Sequence, residues 1–283
     1  MGGGRIARTL DRLAREGRSA LVPFFSVGDP DMDVTREAIL AAVEAGADVV
    51  ELGVPFSDPM ADGAVIQAAS QRALAAGSSL PRVLEMVTQL RASTDVPFIL
   101  FGYYNPFFRY GVERFTRDAK AAGADAVLCV DLPPEEAGPL VGACREHELD
   151  RIFLLAPTSD ASRMRAVAKV ASGFVYFVSV TGVTGARTQA PTGIEDLVQR
   201  VRSIVRLPVG VGFGISTPGQ AAAVASYAEL VIVGSALVRT MHEAGAAGAV
   251  DACRKFVAEL RRALDEQALT RSRHAPSAVL EQA

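Results

Sequence analysis

Tryptophan is absent from this 283-residue chain, and lysine, histidine and cysteine occur three times each. Each scarcity removes a class of chemistry. Lys120, Lys169 and Lys255 all fall in segments of helical period, so no amine projects from a strand end to form a Schiff base. His147, His242 and His274 lie in helical segments or in the tail, with neither the clustering nor the strand-end placement of a metal site. An isomerase needing a strand-end histidine beside its carboxylate is disfavoured for the same reason. Cys129, Cys144 and Cys253 are odd in number and lack metal-type spacing, which reads as free thiols in a reducing cytoplasm. Cys129, inside the apolar run AVLCVDLP, is a small core residue rather than a nucleophile. No apolar run approaches the ~20 residues of a membrane span. A net charge of -3 with scattered arginines leaves no basic stripe for nucleic acid.

What is abundant is apolar residues, 49% of the chain, arranged in short runs. After an amphipathic opening segment, RIARTLDRLAREG (5–17), with Ile6, Leu10 and Leu13 on one helical face, eight such runs follow. They begin at Ala20, Asp48, Pro97, Ala126, Arg151, Phe174, Leu207 and Glu229. Most are apolar throughout, the pattern of parallel strands covered on both faces. Amphipathic stretches such as 33–46, 112–123 and 194–205 separate them, several stopping at glycine. Eight strand–helix units, in a chain slightly longer than the ~250 residues typical of the fold, predict an α/β protein: a (β/α)8 barrel with an extra N-terminal helix. A doubly wound open sheet is the alternative, since it uses the same units. The tetrapeptide Ala-Gly-Ala-Asp occurs at 45–48 and again at 122–125, each time closing a helix before a strand. One domain over 1–266 is expected, with a polar, loosely held tail over 267–283.

Chemistry concentrates at predicted strand ends. Glu51 sits within Val49-Val50-Glu51-Leu52-Gly53-Val54, and burying an ionised group there costs several kcal/mol unless it is paired or takes up a proton. Asp62 follows in a proline-containing loop. With lysine and histidine excluded, the candidate acids and bases are Glu51, Asp62, Asp131, Tyr103, Tyr104 and Tyr176. Asp29 and Asp131, each with a proline close behind, read as helix caps. Glycines near the ends of the last three strands, in 181–185, 210–214 and at Gly234, let backbone N–H groups approach an oxyanion and point to a phosphate site. The spacing Gly210-x-Gly212-x-Gly214 is no dinucleotide fingerprint, because the third glycine is misplaced and Glu229 opens a strand instead of closing one.

The blocks PFFSVGDPD (23–31), ELGVPFSDPMADG (51–63), YYNP (103–106), GVTGAR (182–187), GFGIS (212–216) and VGSA (233–236) carry a family resemblance. From about Val22 to Val238 the chain resembles the tryptophan synthase alpha subunits. That resemblance implies retro-aldol cleavage of indole-3-glycerol phosphate to indole and glyceraldehyde 3-phosphate, without cofactor, as a cytoplasmic biosynthetic lyase. Glu51 would be the general acid-base and Asp62 would hold the indole N–H, with Tyr176 beside the substrate side chain. Phe24, Phe101 and Phe213 would flank the indole, Gly185, Gly214, Gly234 and Ser235 would bind the phosphate, and Thr184 would lie in a closing lid.

The resemblance also implies a pyridoxal-phosphate beta subunit as partner in an alpha–beta–beta–alpha heterotetramer, contacted by loop residues Asp58, Pro59 and Asn105, with the pyridoxal phosphate belonging to that partner. A stand-alone lyase releasing free indole and a non-catalytic regulatory subunit are the competing readings. Two departures from the family stand out: Ala64 where proline is common, and an extra Pro and Gly after Gly185.

Overall fold

The computed structural model describes residues 3–178, 193–212 and 214–274. Eight parallel strands, β1 (Ala20–Ser26), β2 (Val50–Gly53), β3 (Phe98–Gly102), β4 (Ala126–Cys129), β5 (Asp150–Leu155), β6 (Val175–Val178), β7 (Val209–Gly212) and β8 (Leu230–Val233), close into a barrel in chain order. β1 pairs with β8 through Ala20 opposite Leu230, so no sheet edge is left open. Every run expected to be a strand is one. The closed ring excludes the open doubly wound sheet.

Two apolar layers result from the strand period of two. Outward residues such as Leu21, Leu52, Leu100 and Val231 pack under the surrounding helices. Inward residues Ala20, Val22, Val49, Ile99, Leu128, Ile152, Phe174 and Ile232 fill the barrel. The opening helix, α1 (Arg5–Arg15), buries Ile6, Leu10 and Leu13 against this inner cluster and so closes the floor. Around the ring follow α2 (Met32–Glu44), α3 (Ala64–Ala75), α4 (Leu80–Arg91), α5 (Tyr104–Tyr110), α6 (Val112–Ala122), α7 (Gly138–Glu146), α8 (Ala161–Val170), α9 (Ile194–Val205), α10 (Pro218–Ala225) and α11 (Ser235–His274), the last kinked at Gly245.

The repeated Ala-Gly-Ala-Asp does one job twice. In each copy a glycine in a positive-φ conformation, Gly46 or Gly123, ends the helix, and the following aspartate turns back to the floor of the preceding strand. Asp48 accepts the N–H of Leu21 and pairs with Arg261; Asp125 accepts that of Phe98 and pairs with Arg91. Glu229 repeats the arrangement with Val209 and Arg202. Before β6 the hydroxyl of Ser172 takes the role, accepting from Arg151 N–H. α1 reaches both aspartates, with Arg12 on Asp48 at 3.5 Å and Arg5 on Asp125 at 3.1 Å.

Three details differ from the sequence reading. Asp29 does not cap α2: Asp31 does, while Asp29 forms a bidentate pair with Arg72 at 2.7 Å. Asp131 does act at a helix start, but across space, accepting the N–H of Tyr104 at the head of α5. Residues 267–274, expected as loose tail, continue α11, where Ala268 is buried and Arg271 donates to the Ala225 carbonyl. The helix holds on because this face still meets the barrel wall.

Candidate active site

Inward selection on β2 places Val49 in the inner apolar cluster and Glu51 two residues further along, near the carboxyl end of the strand. Its register neighbours are Phe24 on β1 and Ile99 on β3, both apolar. The residue is 1% exposed, and Oε1 has no hydrogen-bond partner among the described residues. Burial alone pushes its pKa up to about 8, so at neutral pH the carboxyl holds a proton.

Asp62 lies in the loop between β2 and α3, part-exposed. Burial raises its pKa to about 6, against the opposing effect of a hydrogen bond from the Tyr103 hydroxyl. The loop is dry enough to weaken the acid, yet the carboxylate remains ionised at pH 7. The Tyr103 hydroxyl also accepts the N–H of Ala61 at 3.1 Å, and its ring lies 5.4 Å from that of Phe56. Tyr103 was among the candidate acids and bases. Its phenol is raised well above the ordinary tyrosine value by burial and then by the Asp62 charge, so it serves as a donor and not as a base.

Tyr176 projects inward from β6, where burial, then the charge of Glu51, then that of Asp62 raise its pKa far above 10. One space is therefore shared by the three groups read as catalytic. Glycine makes room for the ring: a Cβ at Gly212 would fall 2.2 Å from the Tyr176 hydroxyl oxygen. Gly210 likewise clears Phe174 and Ile232. Two of the three glycines in 210–214, Gly210 and Gly212, are thus spacers for side chains inside the barrel.

The apolar wall is Phe24 and Phe101, edge to face with centroids 5.2 Å apart. Phe24 also lies against Gly53, where a Cβ would come within 2.5 Å of its ring, and near Gly234. At the phosphate end, Gly234 directly precedes Ser235, the first residue of α11, so the orphan N–H groups of a helix start face the mouth. Gly214 has φ +67° with open space beside it. Thr184, Gly185 and Phe213 lie outside the described residues.

Of the residues expected to face a partner, Asp58 is exposed, but Pro59 is buried and Asn105 belongs to α5 rather than to a loop. The exposed apolar side chains on this rim are instead Met60, 88% exposed, and Phe108, 63% exposed. Sequence reasoning also missed Gln67, whose amide donates to the carbonyls of Asp62 and Pro59. A glutamine in the first turn of a helix gives no signal of such a contact. No cluster of three or more His, Cys, Asp or Glu side chains suited to a metal ion occurs among the described residues, and no described helix is long and apolar enough to cross a membrane.

Comparison with known proteins agrees with this geometry. A family model described as "Tryptophan synthase alpha chain" matches residues 10–268. The tryptophan synthase alpha chain of Geobacter sulfurreducens is 53% identical over 260 residues, covering 92% of this chain and 98% of the relative. That of Geotalea daltonii is 55% identical over 240 residues, covering 85% and 91%. The crystal structure of tryptophan synthase subunit alpha from Legionella pneumophila superposes with a TM-score of 0.87 at 39% identity, covering 94% of this chain and all of that one. A chain of Mycobacterium tuberculosis tryptophan synthase gives 0.85 at 40% identity, covering 93% and 99%. With matches of this extent and identity, the chain belongs to the tryptophan synthase alpha chain family.

Proposed function

We propose that this chain cleaves indole-3-glycerol phosphate into indole and glyceraldehyde 3-phosphate by acid–base chemistry alone. The observation that carries the reading is Glu51: a carboxyl buried in an apolar wall, protonated at neutral pH, with one oxygen free of any partner among the described residues. In the reaction Glu51 gives its proton to the indole carbon bearing the side chain. Positive charge then develops on the ring nitrogen, and ionised Asp62 accepts a hydrogen bond from the indole N–H and stabilises it. As the carbon–carbon bond breaks, the neighbouring hydroxyl becomes the aldehyde and returns a proton to Glu51, so the carboxyl ends as it began.

Phe24 and Phe101 supply a flat apolar wall for the ring, and Tyr176, kept neutral, offers a hydroxyl to the polar side chain of the substrate. Gly214, Gly234 and Ser235, with Gly185, receive the phosphate at the head of α11. A beta subunit that consumes the indole docks at the rim carrying Asp58, Pro59 and Asn105, where Met60 and Phe108 present exposed apolar surface. Two copies of each subunit form the assembly, and pyridoxal phosphate stays with the partner.

Purified chain is assayed for indole release, alone and with a tryptophan synthase beta subunit. Weak turnover that rises strongly on adding the partner is expected, and Glu51→Gln is expected to bind substrate while losing at least ~100-fold in kcat. Wild-type rates in that variant would remove Glu51 from the mechanism. Fast turnover without the partner would favour the stand-alone lyase.

A further inference from the structure

The loop that carries Asp62 has little to hold it. Met60 and Asp58 point into solvent, and Gly63, at the N-cap of α3, offers no side chain to the helix start. Among the described residues, the backbone–backbone ties within the loop are two turn bonds, from Asp62 N–H to Pro59 C=O at 3.1 Å and from Met60 N–H to Asp58 C=O at 2.9 Å. Yet the loop must fix a carboxylate to within a fraction of an ångström for hydrogen bonding to a substrate.

Two side chains reach it from rigid elements. Tyr103, at the end of β3, receives Ala61 N–H and donates to the Asp62 carboxylate. Gln67, in the first turn of α3, uses Nε2 to donate to Asp62 C=O at 2.9 Å and to Pro59 C=O at 3.3 Å. The match is chemical: a primary amide nitrogen carries two N–H groups, and two carbonyls wait for them. A glutamate at this position has no such donors when ionised, and an asparagine is one methylene shorter.

We propose that Gln67 is a positioning residue for Asp62: by tying both ends of the 59–62 turn to α3, it holds the carboxylate against Tyr103 and over the apolar wall. Gln67 touches no reacting atom and acts only through the backbone it grips. The proposal rests on the reading of Asp62 given above. Without the clamp the loop lifts away from the barrel and the carboxylate becomes better hydrated. The described titratable group acting on Asp62 in its present position is Tyr103, from the end of β3, whose hydrogen bond opposes the effect of burial, while the Asp62 charge in turn raises the Tyr176 phenol on β6.

The test compares wild type with Gln67→Met, which keeps length and volume but donates nothing, in steady-state cleavage of indole-3-glycerol phosphate across pH 5–9. The expected result is a fall in kcat of roughly 10-fold or more with KM changed by less than about 3-fold. The acidic limb of the kcat profile should also move down by about one pH unit or more, while the basic limb set by Glu51 stays in place. The substrate phosphate titrates alike with both proteins, so only the difference between them is read. A variant with unmoved limbs and kcat within 2-fold of wild type would overturn the proposal, as would an equal loss at every pH, which marks mere loss of folded protein. If Gln67→Met melts too low to assay, Gln67→Leu, which likewise donates nothing and adds no charge, is measured across the same pH 5–9 range against the same criteria. Wild type that fails to release indole would instead overturn the assigned reaction.

Discussion

At Glu51 the burial that raises proton affinity also ties fold stability to pH. In the unfolded chain this carboxyl ionises near 4.5, and in the native state near 8, so between those values the native state holds the extra proton. The resulting stabilisation is complete below about pH 4.5 and is lost progressively as pH rises towards 8. Glu51→Gln removes this dependence. The variant should match wild type in thermal stability at pH 4 and exceed it at pH 8 by an amount on the order of 4 kcal/mol, read by differential scanning calorimetry. Equal differences at both pH values would place the ionisation elsewhere.

In the proposed mechanism activity depends on two groups: Asp62 is to be ionised, which holds above about pH 6, and Glu51 protonated, which holds below about pH 8. The kcat/KM profile is therefore expected to be a bell between those limits. Tyr103→Phe should move its acidic limb, because the hydrogen bond that lowers the Asp62 pKa is lost and the limb rises. A profile with an unshifted acidic limb would separate Tyr103 from Asp62. Glu51 was legible in the sequence because a carboxylate set among strand-forming residues conflicts with its surroundings, whereas Asp62, in a proline-containing loop, was legible from its place after that strand and from the family resemblance. Gln67 and the Tyr103 contact were not, since each depends on which side chain the fold brings to the loop; Tyr103 is 42 residues from Ala61.

Elements show the same division. The strands could be read because apolar runs closed by glycine leave little freedom, and α1 because Ile6, Leu10 and Leu13 share a face. Its destination, the barrel floor, is a matter of tertiary charge pairing. Asp125 is central there, accepting Phe98 N–H and meeting both Arg5 and Arg91. Asp125→Ala leaves the part-buried Arg91 guanidinium without its carboxylate partner and a strand N–H without its acceptor, and is expected to cost about 3 kcal/mol in denaturant unfolding. Asp95→Ala, removing an almost fully exposed carboxylate 3.9 Å from Arg5, serves as the comparison and should change stability by under about 0.5 kcal/mol. Comparable losses in the two variants would contradict the picture of a floor held by Asp125. The end of α11 was misread for a local reason: polar composition after Glu266 suggested a loose tail, whereas the buried Ala268 and the Arg271 contact lie on the one face that still packs.

For the whole molecule, closure of the ring leaves one mouth, and everything assigned to chemistry gathers there, while Asp48, Asp125 and Glu229 hold ion pairs on the floor. The mouth rim is also where the exposed Met60 and Phe108 lie, far from the stabilising contacts. Phe108→Asp should therefore leave the melting temperature and unassisted cleavage close to wild type, yet sharply reduce the rate increase produced by a beta subunit. Unchanged stimulation would move the docking surface elsewhere.

The floor has its own logic. Ahead of β2, β4, β6 and β8 an acceptor side chain, Asp48, Asp125, Ser172 or Glu229, captures an N–H at the start of the strand before it. Beside three of these acceptors stands an arginine sent from the helix that precedes that strand around the ring, and beside the fourth Arg145 reaches the Lys169 carbonyl. Read around the ring, the barrel is four two-strand modules, each setting its own stagger before the circle closes. A chain reopened between modules would keep every bond from acceptor to strand within one continuous stretch, as the bond from Leu21 to Asp48 is here, whereas one reopened inside a module would have to form such a bond between its two ends.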